Sequence, residues 1–378
     1  MMNKTYIFSG PGRTEIGGNH TDHQHGCVLA GAVDLETVAE VTLNGTDILR
    51  VSSDGFPTAE VELTDLRPRQ EERNTTAALV RGVAAAFVRH GARLRGVDAV
   101  VHSTVLPGSG LSSSAAFEVL LGTIFNELFF HKALSAVEIA RIGQYAENVY
   151  FGKPSGLMDQ MASSVGGLVF IDFADPENPV VEKLDVDFAQ AGYALCIVDS
   201  GADHADLTEE YAAVTSELKA VCGHFGKVVL REVPEERFFA AIPALRGVVP
   251  DRAILRAIHF YQENKRVLAQ VKALREKDFG AFLRLVGQSG RSSWMYLQNI
   301  TPTGAVERQD VALTLALCDT LLHGRGACRV HGGGFAGTVQ AFVPLDMLEQ
   351  FKIKIEQTLG EGKCHVLSIR SQGGIRVQ

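Results

Sequence analysis

The chain has 378 residues, 46% of them apolar, and a formal net charge of −8. That is enough apolar material for two buried cores, and the acidic balance argues against a nucleic-acid partner, because phosphate backbones are held by surplus Lys and Arg. The six cysteines (Cys27, Cys196, Cys222, Cys318, Cys328, Cys364) lack C-x-x-C spacing and no 18-residue uncharged apolar run occurs, so a cytoplasmic protein without disulfide framework, zinc ribbon, signal peptide or membrane span is expected.

In chain order, the first informative segment is Gly10-Pro11-Gly12-Arg13-Thr14-Glu15-Ile16-Gly17-Gly18-Asn19-His20-Thr21-Asp22-His23, soon after a first strand. Charged and amide groups in a glycine-punctuated loop are costly to bury, so they face water or line a polar pocket. Asp and Asn can accept from and donate to vicinal hydroxyls, which makes a sugar pocket the sharper reading. His20, His23 and His25 beside Asp22 also raise a metal reading, although their H-x-x-H-x-H spacing matches no common structural zinc site. Thr37 to Leu43, Asn44-Gly45 and Asp47 to Val51 read as a β-hairpin with a two-residue turn. Asn74 is placed to cap a helix that turns Leu79, Val83 and Phe87 inward and ends near Gly91.

The run Pro107-Gly108-Ser109-Gly110-Leu111-Ser112-Ser113-Ser114-Ala115-Ala116 stands between a strand, with Val97, Ala99 and Val101 alternating, and an amphipathic helix through Val119, Leu120, Ile124 and Leu128. Glycines let the backbone approach an anion, free amides at the helix start point at it, and the helix dipole adds positive potential there. This is a phosphate-holding layout without a Walker lysine: the Gly-Lys pairs at 152, 226 and 362 are followed by Pro, Val and Cys. A plain flexible Gly-Ser loop is the alternative.

Ser135 and Glu138 form a capping-box pair opening a helix through Ile139, Ile142 and Ala146. Glu147 falls near the end of that helix, where a carboxylate is unfavourable unless a cation is nearby, and Asp159 falls in the first turn of a short helix, where the dipole favours its ionised form. Each alone reads equally as an ordinary helix acid. A hairpin is expected where Leu168 to Phe173 meets Asp175-Pro176-Glu177-Asn178-Pro179. Helical patterns dominate from about residue 190 to 325, and Gly332-Gly333-Gly334 after a strand suggests a close backbone approach. The mixture predicts an antiparallel-rich α+β protein of two domains, 1–190 and 191–378.

Taken together in this order, these segments resemble the GHMP small-molecule kinases and, within them, the galactokinases. Gly12-Arg13, Gly18 and His20-Thr21-Asp22 fall in register with the galactokinase segment G-R-x-N-L-I-G-E-H-T-D. Gly108 to Ala115 matches G-x-G-L-S-S-S-A, Gly156-Leu157-Met158-Asp159-Gln160 matches G-I-M-D-Q, and Gly332 to Gly337 approaches G-x-G-F-G-G. The resemblance implies a ribosomal-protein-S5-like N-terminal domain, a ferredoxin-like C-terminal domain, and a monomer phosphorylating the anomeric hydroxyl of galactose with ATP and magnesium. Asp159 and Arg13 would be catalytic. Gly108, Ser109, Gly110, Leu111, Ser112, Ser113 and Ser114 would cradle ATP, and Ser114 and Glu147 would hold Mg2+. Asn19, His20, Asp22, Gly156 and Tyr211 would contact the sugar.

The sequence departs from the pattern at the sugar. Galactokinases have Asn at the position of Glu15 and Glu at that of Asn19, and a neutral Asn would not repel a carboxylate on the C6 side. Galacturonate or another hexose is therefore the alternative acceptor. A non-catalytic galactose/ATP sensor and a metal-dependent hydrolase built on His20, His23 and His25 are the readings from other classes.

Overall fold

The computed structural model describes residues 4–105, 110–202 and 207–378. A long β1 (Thr5–Gly17) pairs antiparallel with the longer β2 (Cys27–Leu43), and these two strands are the spine of an eight-stranded sheet. The far edge of β2 is shared end to end by β5 (Val97–Ser103), paired with its second half, and β6 (Leu168–Asp172), paired with its first. Outside β5 lie β3 (Ile48–Ser53) and β4 (Ala59–Glu62), and outside β6 lies β7 (Val180–Leu184). The last strand, β12 (Ile375–Arg376), returns to pair with β1 at Phe8 and Ser9.

The expected hairpin between residues 37 and 51 does not form. Asn44 makes the turn, with its side-chain amide on Ile48 O at 3.0 Å and Asp98 Oδ1 at 2.9 Å. The strands it joins stand one strand apart, because β5 enters between them, antiparallel to β2 and parallel to β3. β5 buries Val97, Ala99 and Val101 and fills both edges with ladders, so core burial overrides the local turn signal. The 168–184 hairpin forms as expected.

One face of this sheet is covered by α1 (Thr76–Arg89), α2 (Ser113–Phe129), α3 (Ala136–Tyr145) and α4 (Met158–Val165). Thr75, not Asn74, caps α1, accepting from the Ala78 amide, while Asn74 takes a left-handed φ of 61° one residue earlier. The capping box of Ser135 and Glu138 is present on α3. α2 is buried around most of its circumference, from Ala115 to Asn126, so it is a central helix rather than a half-exposed amphipathic one. α3 runs into a π-turn, Ala146–Phe151, that ends at Gly152.

The second sheet is fully antiparallel, in the order β11 (Cys364–Leu367), β8 (Tyr193–Asp199), β10 (Thr338–Pro344), β9 (Ala327–His331). Its strands alternate: Cys196, Val198 and Ala341 face α9 (Asp310–Leu322) and α10 (Leu348–Leu359), while Leu195, Ile197 and Phe342 face the first sheet and α8 (Phe279–Ser292). The 25-residue α7 (Asp251–Arg275) runs behind β1 and β2 and packs with α5 (Thr208–His224) and α6 (Glu235–Leu245). The result is an α+β protein with two sheets and, among the described residues, ten α-helices.

Candidate active site

β1 and α4 bring Arg13 and Asp159 together. Arg13 Nε donates to Asp159 Oδ1 at 2.7 Å and Nη2 lies 2.6 Å from Oδ2, a bidentate pair of the strong, directional kind. Ser112 Oγ adds a third donor at 2.8 Å, and Arg13 Nη1 reaches back to the Gly110 carbonyl. Burial by itself would raise the Asp159 pKa, but the Arg13 charge and hydrogen bonds outweigh it, with Lys153 and Ser112 adding to them, and hold the carboxylate below its usual value. Asp159 remains 29% exposed, so this charge is reachable from outside.

The described end of the phosphate-type segment, from Gly110 to Ser114, stands beside this pair. Gly108 and Ser109 lie outside the described residues. From Gly110 on, the backbone is pinned to β1 by the Arg13 amide donating to Leu111 O at 2.9 Å. Ser112 adopts a left-handed φ of 55° at the N-cap of α2 but spends its hydroxyl on Asp159 rather than on the helix. The first amides and hydroxyls of α2, from Ser113 and Ser114, thus have no side-chain cap and start next to the Arg13–Asp159 pair.

Glu147, in the π-turn, is buried with both oxygens engaged. Oε1 accepts from Ser114 Oγ at 3.3 Å and lies 2.9 Å from Lys153 Nζ; Oε2 accepts from Ser155 Oγ at 2.6 Å and Gln160 Nε2 at 2.9 Å. The cation expected near this carboxylate is Lys153. Gln160 Nε2 also reaches Glu118 Oε2 at 2.9 Å, and burial, reinforced by the Glu147 charge, pushes the Glu118 carboxyl well above the usual range. The donor set fits a hard divalent cation, since a carboxylate and a hydroxyl, both oxygen donors, meet at Glu147 and Ser114. Ser114 and Glu147 are the two side chains that would hold such a cation.

Next to these groups opens a cavity of about 1140 Å³, lined in part by Asp22, Lys153, Gly156, Tyr211, Arg141, Glu177 and Lys219. Asp22 and Gly156 touch: a Cβ at 156 would collide with the Asp22 carboxylate, so the glycine is what lets the two loops meet. Burial, with the negative charge of Asp159 adding to it, pushes the Asp22 pKa up to about 6. His20 Nε2 donates to Gly333 O at 2.9 Å and its Nδ1 lies 3.3 Å from His23 Nε2. Burial keeps both rings neutral, with His23 lowered to about 3. Tyr211 donates to Gly334 O at 2.8 Å, and burial raises its phenol to about 12, so it stays a donor. Among the described residues no group of three or more His, Cys, Asp or Glu side chains is arranged to hold a metal. The hydrolase reading of His20, His23 and His25 is therefore corrected: His20 is spent on Gly333 and His23.

Residues 78–167 match the GHMP kinases N terminal domain, and residues 2–43 match the galactokinase galactose-binding signature. These two segments are similar to GHMP kinases and, along the spine of the first sheet, to galactokinases. A Lactococcus lactis galactokinase complexed with galactose has the same fold, with a TM-score of 0.83 at 23% identity over 99% of this chain and 95% of that one. A Methanococcus jannaschii mevalonate kinase follows at TM-score 0.69 and 14% identity, covering 98% and 99% of the two chains. A Staphylococcus aureus mevalonate diphosphate decarboxylase has a TM-score of 0.63 at 15% identity, covering 100% and 99%. At these identities the likeness fixes the fold and leaves the chemistry to the site.

In this chain, Asn19 is set apart from the other expected sugar contacts. It is fully enclosed: Nδ2 donates to Glu15 Oε1 at 3.1 Å and Gly332 O at 2.7 Å, and Oδ1 accepts from Asn299 Nδ2 at 2.8 Å and Ser293 Oγ at 3.2 Å. Its carbonyl accepts from His259 Nε2 at 2.9 Å. Glu15 is neutralised by Arg329 Nη2 at 2.5 Å. The exchanged Glu15 and Asn19 thus belong to one interior network that ties the sugar loop to the triple-glycine loop. Gly334 is close-packed there, since a Cβ on it would strike the Asn299 carbonyl. Sequence reasoning assigned Ser112 to ATP, whereas its hydroxyl lies on Asp159, and it missed Glu118, Lys153, Ser155, Gln160, Asn299 and Arg329. Only Glu118 had a usable signal, its four-residue step from Ser114 along one helix face.

Proposed function

We propose that this chain is a sugar kinase that transfers the γ-phosphoryl group of ATP to the anomeric C1 hydroxyl of galactose, as a cytoplasmic monomer whose halves divide near residue 190. The observation that carries the reading is the bidentate Arg13–Asp159 pair, capped by Ser112, between the start of α2 and the Asp22–Gly156 cavity. Bound ATP would supply the phosphoryl group, with Mg2+ on Ser114 and Glu147 neutralising its charge. Asp22, Gly156 and Tyr211 would line the acceptor site with His20 close behind, and Asp22 would take a hydroxyl proton as a hydrogen bond. Asp159 orients the attacking hydroxyl and takes its proton. Its lowered pKa makes it a weak base, which suits a transition state in which the nucleophile is little activated before the phosphoryl group has begun to leave. Arg13 keeps Asp159 ionised and faces the charge that builds on the transferring group.

The cavity favours a second acceptor class. At about 1140 Å³ it lies above the range of roughly 300–1000 Å³ typical of small-molecule pockets, and Arg141 and Lys219 stand on its wall. A hexose with a substituent has room there, and Lys219 offers a countercharge to galacturonate, while Arg141 is already paired with Glu177 at 2.7 Å. A magnesium-ATP screen over galactose, galacturonate, glucose, arabinose and N-acetylgalactosamine, with products identified by NMR and Asp159→Ala as the blank, tests both. Galactose 1-phosphate as the dominant product supports the first reading, and faster turnover of a substituted hexose supports the second. Sugar binding without phosphorylation would overturn both in favour of a sensor.

A further inference from the structure

We infer that Lys153 is an exchangeable counter-ion: it occupies Glu147 in the nucleotide-free enzyme, and the divalent cation must displace it to bind. The inference rests on the proposed assignment of Ser114 and Glu147 as the cation site. Lys153 is held at Glu147 by its own backbone. The π-turn directs the Glu147 carbonyl at two successive amides, Gly152 N at 2.9 Å and Lys153 N at 3.1 Å, which fixes where the lysine stem begins. The ammonium then lies 2.9 Å from Glu147 Oε1, the same oxygen that accepts from Ser114.

The two ends of this contact are unequal. Glu147 is 3% exposed at its side chain and cannot move, because Ser155 and Gln160 hold its other oxygen. Lys153 is 57% exposed and lies on the wall of the cavity beside Asp22 and Gly156. A dication on Oε1 and an ammonium on the same atom repel strongly at such separations, whereas a single monovalent charge satisfies the carboxylate in its absence. The mobile partner is therefore the one that leaves, and the open space available to it is the cavity, where the ionised Asp22 and the acceptor lie. Gln160 and Ser155 are neutral donors that can stay on Oε2 through the exchange. The arrangement keeps a buried carboxylate paired in both states, which avoids the cost of an uncompensated interior charge.

The competition predicts a measurable change in cation affinity that does not depend on turnover. Mn2+ binding to the nucleotide-free protein, followed by electron paramagnetic resonance at low salt, compares wild type with Lys153→Met, Lys153→Arg and Glu147→Gln. Removing the competing charge should tighten Mn2+ binding about tenfold in Lys153→Met, while Lys153→Arg, which keeps the charge, should remain near wild type. Unchanged or weaker binding in Lys153→Met overturns the inference, provided Glu147→Gln has lost the site. Retention of full Mn2+ binding by Glu147→Gln would instead overturn the cation assignment on which it rests. Lys153 is largely exposed, so the variants should fold, and circular dichroism melts check that they do.

Discussion

Arg13 and Glu15 stand two residues apart on β1, and each is paired with an opposite charge from far along the chain, yet the surroundings of the two pairs differ. Arg13 and Asp159 are 7% and 29% exposed at their side chains, whereas Glu15 and Arg329 are 4% and 0%. The first pair borders the loop ahead of α2 and keeps one carboxylate within reach of a ligand. The second is sealed with Asn19, and Arg329 Nε and Nη1 have no hydrogen-bond partner among the described residues. One strand therefore carries an ion pair that stays open to solvent on its carboxylate side, proposed as the catalytic pair, and one that is enclosed and holds β1 against β9. The same chemical pair does site work where it is open and fold work where it is closed.

The contrast can be broken at four points. Asp159→Ala should lower kcat by about 10,000-fold, roughly 5.5 kcal/mol, while moving the melting temperature by only a few degrees. Arg329→Met should do the reverse: leaving Glu15 charged and enclosed costs about 3–5 kcal/mol of stability, read as a lower urea midpoint, with kcat of the folded fraction affected far less. If the Glu15→Gln, Arg329→Met double variant recovers none of that loss, the closed pair is not what the single variant broke. Gly156→Ala should push Asp22 aside and raise the acceptor KM about tenfold, near 1.4 kcal/mol, with the nucleotide KM unchanged.

The smallest effect is in pH. Asp22 titrates at about 6 in the folded protein, above its ordinary 3.8, so it becomes a full hydroxyl acceptor only as pH rises through 6. Acceptor kcat/KM should climb a few-fold between pH 5 and 7 and flatten in Asp22→Asn. The stability sign is opposite: the folded state binds this proton more tightly than the unfolded chain, so Asp22 favours folding at low pH and loses that contribution as pH rises through 6. Asp22→Asn should accordingly melt no lower than wild type at pH 8. A wild-type profile without an inflection near 6 would remove Asp22 from the acceptor site.

The sequence made legible what local chemistry determines. Ser135 with Glu138, the Asp175–Pro179 turn and the glycine ahead of Asp159 each act within a few residues, and each sits where expected. Arg13 and Asp159 could be paired only through the family resemblance, since 146 residues separate them. The 37–51 hairpin failed because a later strand outbid the turn for the ladder edge, which no window around Asn44 can reveal. The enclosed setting of Asn19 was equally invisible. Its partners Asn299 and Gly332 lie 280 and 313 residues on, and nothing in its own neighbourhood distinguishes an amide facing solvent from one facing an arginine pair.

The pairing of β12 with β1 sets an order on synthesis. Ile7 exchanges backbone hydrogen bonds with Val377 and Gln378, and Phe8 and Ser9 face Arg376 and Ile375, so the strand that carries Arg13 keeps an open edge until residues 375–378 emerge. On the ribosome, the strand that bears Arg13 is translated early, but its edge at residues 7–9 is paired only after residues 375–378 have emerged. A nascent chain can thus collapse its first helices while the strand bearing Arg13 still exposes an unpaired flank, the stage at which a chaperone or a second nascent chain would have access to it.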